Sequence, residues 1–195
     1  MLHFRKRRPA GSADVVDPAG TWRAIEARLA TTTDPRHRQI MEIVIENVKQ
    51  AAAPSLGGVM ATLGPDPAYH FWNDGDDIGP KARDGVRAYY EGLFQSHAYV
   101  MEFVIDRMFV DNGGMVTEGF LRQIYPGKSA FQMGLIADDP GSDYLIEFRQ
   151  MIVWVVDATG KIQNVDSYNS GPSRVKKLTR EQLPQAYVEM MNETR

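Results

Sequence analysis

Val100–Tyr125 reads VMEFVIDRMFVDNGGMVTEGFLRQIY, two runs rich in valine, isoleucine and phenylalanine on either side of Asp111-Asn112-Gly113-Gly114. β-Branched and aromatic residues favour a pleated backbone, and Asn-Gly supplies residues that tolerate the positive φ of a tight hairpin turn. The pattern predicts a hairpin of Val100–Val110 with Met115–Tyr125. The meander continues downstream. Tyr144–Val156 predicts a third long strand, closed by Asp157-Ala158-Thr159-Gly160, and Lys161–Tyr168 predicts a fourth. The third strand is apolar on both faces, with Phe148, Ile152 and Trp154 on one and Met151, Val153 and Val155 on the other. Such a strand needs cover on both sides. Helices supply one cover, and a second copy of the chain is the expected other, making a homodimer.

Upstream the period changes to that of helices. Trp22, Ile25 and Leu29 are spaced by three and four within Thr21–Ala30, a short amphipathic helix. Asp34-Pro35 supplies an N-cap and a first-turn proline, so a long helix is predicted from Pro35 to about Ala52. Its stripe of Ile40, Met41, Ile43, Val44, Ile45 and Val48 is broad enough to be mostly buried. A shorter helix follows over Ser55–Leu63, ended by Gly64-Pro65-Asp66-Pro67. Then come a short strand at Ala68–Trp72, a polar loop at Asn73–Gly79, and a helix from about Lys81 to Gln95. That helix carries Val86, Tyr89, Tyr90, Leu93 and Phe94 at helical spacing. Lys128–Asp143 is long and apolar for a connection, which predicts an extra edge strand or a lid over a pocket. Thr179 and Gln182 form a capping box before a final helix. Helices gathered on one side of an antiparallel sheet make an α+β fold.

The 195 residues suffice for one domain with a real core, and 43% apolar and 24% charged residues are ordinary for a globular chain. A formal net charge of −3 gives no electrostatic reason to expect nucleic acid. The absence of cysteine excludes disulfides, thiolate zinc sites and thiol catalysis, and it fits a reducing cytoplasm, the expected location. No apolar run has the length needed to span a membrane. The basic cluster Arg5, Lys6, Arg7 and Arg8 has no apolar segment behind it, so it reads as a solvated tail and not as a secretory signal.

Three stretches carry a family resemblance. MATLGPDPAYHFW (Met60–Trp72), GPKARDGVRAYYEGL (Gly79–Leu93) and VVDATGKIQNVDSY (Val155–Tyr168) resemble the second helix, first strand, third helix and closing hairpin of SnoaL-like domains, in the nuclear-transport-factor-2-like superfamily. The resemblance spans roughly Pro35 to Tyr168. It implies an α+β fold in which a curved antiparallel sheet forms a cone closed by three N-terminal helices around an apolar pocket, as in cystatin-like folds. The layout expected is a flexible N-terminal tail (1–20), a SnoaL-like α+β domain (21–170) and a C-terminal helical extension (171–195). The shared motifs are turns, caps and aromatic packing, which speak for fold and not for chemistry. Ketosteroid isomerases of this superfamily place a base aspartate on the first strand, an oxyanion-hole aspartate on the third long strand and a tyrosine on helix one. With DATGK as the anchor, those positions fall at Phe71, Ile152 and near Asn47. Enolisation needs a base beside the carbon and donors for the enolate oxygen, so that chemistry is rejected in that form. Members that use an aspartate late in helix one with a strand histidine also match badly, because Gln50–Pro54 holds no acid.

With Ile152 inward, alternation also turns Gln150 and Trp154 inward. It gives Val116, Glu118, Phe120 and Arg122 on the second long strand, and Val165, Ser167 and Asn169 on the last. The predicted ligand-binding set is Phe71, Trp72, Phe120, Gln150, Ile152, Trp154 and Asn169. Glu118, amid Met115, Val116, Phe120 and Leu121, is expected to have its pKa raised by desolvation, as suits a general acid or base. The competing reading pairs it with Arg122 or Arg149. His70 is the candidate proton shuttle with Glu118 or Asp74, against a half-buried structural histidine, and Tyr69 is a candidate hydrogen-bond donor. Asp74, Asp76 and Asp77 lack metal-loop spacing and read as a solvated turn, with Asp74 at the pocket rim. No phosphate loop, nucleophile elbow or dinucleotide fingerprint is present, so no cofactor is expected. The expected function is cofactor-independent acid–base chemistry (isomerisation, dehydration or hydration) on a hydrophobic small molecule such as a steroid, terpenoid or polyketide. The alternative is a non-catalytic ligand-binding or dimerisation module of the same fold.

Overall fold

A computed structural model describes residues 15–73 and 75–193. Helices α1 (Gly20–Leu29), α2 (Pro35–Ala52) and α3 (Leu56–Thr62) precede strand β1 (Leu63–Asn73). Local chemistry fixes their starts. The Asp34 carboxylate accepts from the His37 amide at 2.8 Å, and Pro35 fills the first turn, where no amide donor is needed. Ser55 caps α3 through the Gly58 amide at 3.3 Å. A two-residue strand β2 (Asp76–Asp77) folds back on β1, and α4 (Ala82–Gln95) leads into β3 (Met101–Asp111), β4 (Gly114–Pro126), β5 (Asp143–Val156) and β6 (Ile162–Leu178).

These strands form one six-stranded, curved and unclosed sheet in the order β2-β1-β6-β5-β4-β3. Neighbours are antiparallel except β1 and β6, which run parallel. Helices α1 to α4 pack on the inner face. Ile40, Met41, Val44 and Ile45 of α2 meet Met115, Trp154, Val156, Ile162 and Val165 of the sheet in the main core. Each such aliphatic side chain contributes about 1.5–3 kcal/mol when fully buried.

Several segments differ from expectation. β1 starts at Leu63 and not at Ala68, so Gly64-Pro65-Asp66-Pro67 both ends α3 and forms the irregular start of the strand, where pairing with β6 shifts between Leu63 and Ala68. Prolines lack the amide donor and are tolerated at such an irregularity. β6 runs on to Leu178, so the boundary expected near residue 170 falls inside a strand. Lys128–Asp143 makes neither an edge strand nor a lid. Helix α5 (Gly127–Gln132) begins one residue before it, and Ala130, Leu135 and Ile136 pack on Tyr125, Tyr144, Ile146 and Phe148 at the far end of the inner face. Residues 15–20 are packed too, with Val16 only 1% exposed among Ile124, Leu145, Leu178 and Tyr187. The basic cluster Arg5–Arg8 lies outside the described residues. After β6, Gln182 Oε1 accepts from the Thr179 amide at 3.0 Å, and α6 (Gln185–Glu193) follows. Among the described residues, no helix is long and apolar enough to cross a membrane.

The outer face carries a ladder of alternating charge. Glu102, Arg122, Glu147 and Arg174 stand opposite one another on β3, β4, β5 and β6. Arg122 reaches Glu102 at 2.8 Å and Glu147 at 3.1 Å, and Arg174 approaches Glu147 at 3.9 Å. Glu102 is almost fully buried, so losing the Arg122 guanidinium takes the counter-charge at 2.8 Å from a desolvated carboxylate that also accepts from the Asp17 amide at 3.4 Å. Arg122→Met is expected to cost about 3–5 kcal/mol in urea unfolding. Arg174→Met, at an exposed rung, is expected to cost less than about 1 kcal/mol.

Candidate functional site

Between the inner face of the sheet and the helices lies a cavity of about 150 Å³. Directly opposed residues of a strand pair share a face, and the register decides what enters it. Thr117 of β4 opposes Ile152 of β5, which opposes Ser167 of β6; Trp154 opposes Val165 in the same way. In the parallel pair, Tyr69 and Phe71 lie beside Val165 and Ser167. These side chains, with Phe103, Ile105 and Leu121, make the sheet wall of the cavity. Helix α2 contributes Asn47, Val48 and Ala51, α4 contributes Tyr89, Tyr90 and Leu93, and α1 closes over with Thr21 and Ile25.

The polar groups of this cavity are neutral and concentrated. The Tyr69 and Tyr90 hydroxyls lie 3.2 Å apart, with the Asn47 amide within hydrogen-bonding reach of both. Asn47 Nδ2 donates to Thr62 Oγ1 at 2.8 Å, and that hydroxyl donates to the Val59 carbonyl at 2.6 Å, which fixes the amide. Burial pushes both phenols well above the ordinary tyrosine range, so they remain protonated. On the sheet, Trp154 Nε1 donates to Thr117 Oγ1 at 3.2 Å, and Gln150 Nε2 donates to Ser167 Oγ at 2.8 Å. The described lining residues include no Asp, Glu, His, Lys or Arg.

The same architecture occurs in solved structures. The chain superposes on a candidate SnoaL-like polyketide cyclase from Shewanella putrefaciens CN-32 with a TM-score of 0.57 at 11% identity, over 80% of this chain and 89% of that one. A second such protein, from Jannaschia sp. CCS1, gives 0.54 at 13% identity, over 72% and 91% of the two chains. The chain has the SnoaL-like, nuclear-transport-factor-2-like fold. The Mycobacterium tuberculosis protein RV0760c is similar in fold as well, with a TM-score of 0.51 at 15% identity, over 71% of this chain and 93% of that one. No protein-family model matches the sequence, and no curated protein matches it.

Within this SnoaL-like fold, the three positions inferred from the DATGK anchor, Phe71, Ile152 and Asn47, all line the cavity. Of the other candidates, Tyr69 and Trp154 line it as well. Gln150 stands behind the wall, bracing Ser167. Asn169 is exposed beyond the cavity edge, where its Oδ1 accepts from the Gly171 amide at 3.0 Å.

The remaining candidates face the other way. Glu118 is on the outer face, opposite Arg107 and Met151, so the predicted inward set on β4 is displaced by one residue. Met115, Thr117 and Leu121 point inward in place of Val116, Glu118, Phe120 and Arg122. Glu118 is held by Arg107 at 2.5 Å and by Arg149, which also binds Asp106. Hydrogen bonds from Arg107 and Arg149 outweigh desolvation and keep its carboxyl below the ordinary glutamate range, the reverse of the expected shift. Phe120 lies under the Arg149 guanidinium, 4.9 Å from ring centroid to carbon.

His70 and Trp72 alternate with Tyr69 and Phe71 and therefore also face outward. His70 Nδ1 lies 2.6 Å from Asp77 Oδ2, and Trp72 stacks on Tyr168 at 6.3 Å. Asp77 is no solvated turn residue. Its Oδ1 accepts from the Phe71 and Gly79 amides, each at 3.1 Å, and its Oδ2 meets Lys81 at 2.9 Å. Asp74 lies outside the described residues. The structure thus does not bring His70 and Glu118 to the cavity. Sequence reading missed Asn47 and Tyr90 as site residues, although one signal was available: Asn47 is a polar residue within the buried stripe of α2.

Hydrogen bonds from Lys81 first, then from His70 and the Gly79 amide, hold the Asp77 carboxyl well below the usual carboxylate range. A depressed folded pKa contributes stability that is full above the unfolded value, about pH 4, and is lost as pH falls through the lower folded value. Asp77→Asn is therefore expected to lower the thermal midpoint at pH 7. The gap from wild type should narrow as pH falls below about 4, which thermal melts over a pH series would measure.

Proposed function

We propose that the protein binds a hydrophobic small molecule in the inner-face cavity. The observation that carries this reading is the composition of the wall, aromatic and aliphatic with a few fixed hydroxyl and amide groups. Ligand sites have this make-up, since apolar contact supplies affinity and a few polar groups set orientation. Proton transfer instead calls for a group that changes charge near the working pH. The buried phenols are pushed away from that range, and Glu118 and His70 stand on the opposite face. Ligand binding is therefore favoured over the isomerisation, dehydration or hydration expected from sequence.

Trp154, buried in the cavity wall, provides the readout. Titration with neutral aromatic and terpenoid ligands should change its emission saturably in the wild type. Ala51→Phe, which fills the cavity from α2, should remove the response while the thermal midpoint holds. Catalytic turnover of a ligand, or unchanged binding by Ala51→Phe, would overturn the reading.

The outer face supports the expected homodimer as a further part of this proposal. Met151, Tyr168 and Trp72 are neighbours across β5, β6 and β1, and each is at least 36% exposed. A contiguous apolar strip of this kind marks an interaction surface, and a second copy of the chain covers it. Tyr168→Glu should convert a dimer to a monomer in sedimentation equilibrium. A wild-type monomer at all concentrations would remove this part and leave the cavity reading intact.

A further inference from the structure

The size and the charge of the cavity narrow its ligand further, given the reading that it binds a hydrophobic molecule. We infer that the ligand is an uncharged, single-ring compound with one hydrogen-bonding oxygen, a phenol or cyclic ketone, seated with that oxygen against Tyr69, Tyr90 and Asn47.

Volume sets the ring count. The cavity measures about 150 Å³. An engineered apolar cavity of about 150 Å³ in another protein takes up one benzene. A four-ring steroid or a multi-ring polyketide exceeds that space as the side chains stand. Tyr89 lines the cavity yet is 36% exposed, which places the mouth beside it and Phe71, with ring centroids 5.2 Å apart. Substituents on the ring therefore leave by that side. The oxygen belongs at the closed end, where Tyr69 and Asn47 are almost fully buried.

Hydrogen-bond arithmetic supplies the oxygen. The two phenol hydroxyls share one hydrogen across their 3.2 Å contact, so the pair retains a second. Asn47 Nδ2 gives one hydrogen to Thr62 and has its other within reach of the phenol oxygens, so the spare hydrogen of the cluster is the second phenol's. Buried donors are satisfied in folded proteins, and an acceptor oxygen entering between these side chains meets that requirement. A hydrocarbon without oxygen does not.

Charge excludes the acids. No cationic side chain is among the described residues lining the cavity. A carboxylate entering it loses its hydration without a counter-ion, a heavy penalty in an apolar site. The pocket thus separates a phenol or ketone from the carboxylic acid of the same shape.

Four probes test this on the full-length protein by calorimetry: 4-methylphenol, toluene, 4-methylbenzoate and progesterone. Expected is tightest binding of 4-methylphenol, with toluene weaker by roughly tenfold for the lost hydrogen bonds. The benzoate should bind at least about a hundredfold more weakly, and progesterone should not bind. The double variant Tyr69→Phe/Tyr90→Phe should bring 4-methylphenol to the level of toluene while toluene itself binds as before, a control that a misfolded protein fails. The inference is overturned if progesterone or the benzoate binds as tightly as 4-methylphenol, or if the double variant keeps the preference for the phenol. Binding of progesterone without the small rings would sink the inference but leave the binding reading standing, whereas silence from all four probes would remove both.

Discussion

Thr117 stands opposite Ile152, and Met115 opposite Trp154, and this register determines which half of β4 meets the helices. Side chains alternate along a strand, so a shift of one residue exchanges the whole set. It would put Glu118 and Arg122 against Ile40, Val44 and Trp154 and would bring Thr117 to solvent. Burying unpaired charges in an apolar core costs far more than any contact the shift would gain. The charges on the outer face therefore act on the inner one. The ladder from Glu102 to Arg174 and the cluster of Asp106, Arg107, Glu118 and Arg149 are both paired in the observed register. The β3–β4 turn adds to this, since Asp111 Oδ1 accepts from the Gly113 amide at 2.7 Å and the Gly114 amide at 3.1 Å.

A single extra residue completes the arrangement. Asp106 is a bulge on β3, because Ile105 pairs with Gly119 and Arg107 with Glu118. Before the bulge Phe103 and Ile105 face inward, and after it Met108 and Val110 do so. The parity change lets Asp106 bind Arg149 while Arg107 binds Glu118. Gly119 is required there, since a Cβ would collide with the Val104 carbonyl of the close neighbouring strand. Gly160 answers a different demand, taking φ +84° in the turn between β5 and β6.

Elements whose signals are local were legible in the sequence. Asp34-Pro35 marks the start of α2, and the Asp-Asn-Gly-Gly turn marks the β3–β4 hairpin, because capping and turn formation depend on a few adjacent residues. The curved α+β architecture was legible from the order of helices and strands together with the SnoaL-like resemblance. The face of β4 was not. Val116, Phe120 and Ile124 on one parity balance Met115, Leu121 and Tyr125 on the other, so hydrophobicity does not choose between them. The second half of β6 was hidden for a related reason. Asn169–Lys177 is largely polar, and its pairing with β5 is a backbone interaction that side-chain patterning does not report. At the site, Phe71, Ile152 and Trp154 followed from alternation and anchor. Asn47 and Tyr90 acquire their role from one another and from Tyr69, across three elements distant in sequence.

The two faces of the sheet differ in what they can sense. The inner cavity has no ionised wall among its described residues, so filling it moves no protons and releases no counter-ions. A neutral molecule seated there would meet no group whose charge changes with acidity. The outer face, a strand's thickness away, is crossed by carboxylates and guanidinium groups whose attraction weakens in acid and at high ionic strength. One sheet thus separates an uncharged wall on one side from an ionised one on the other.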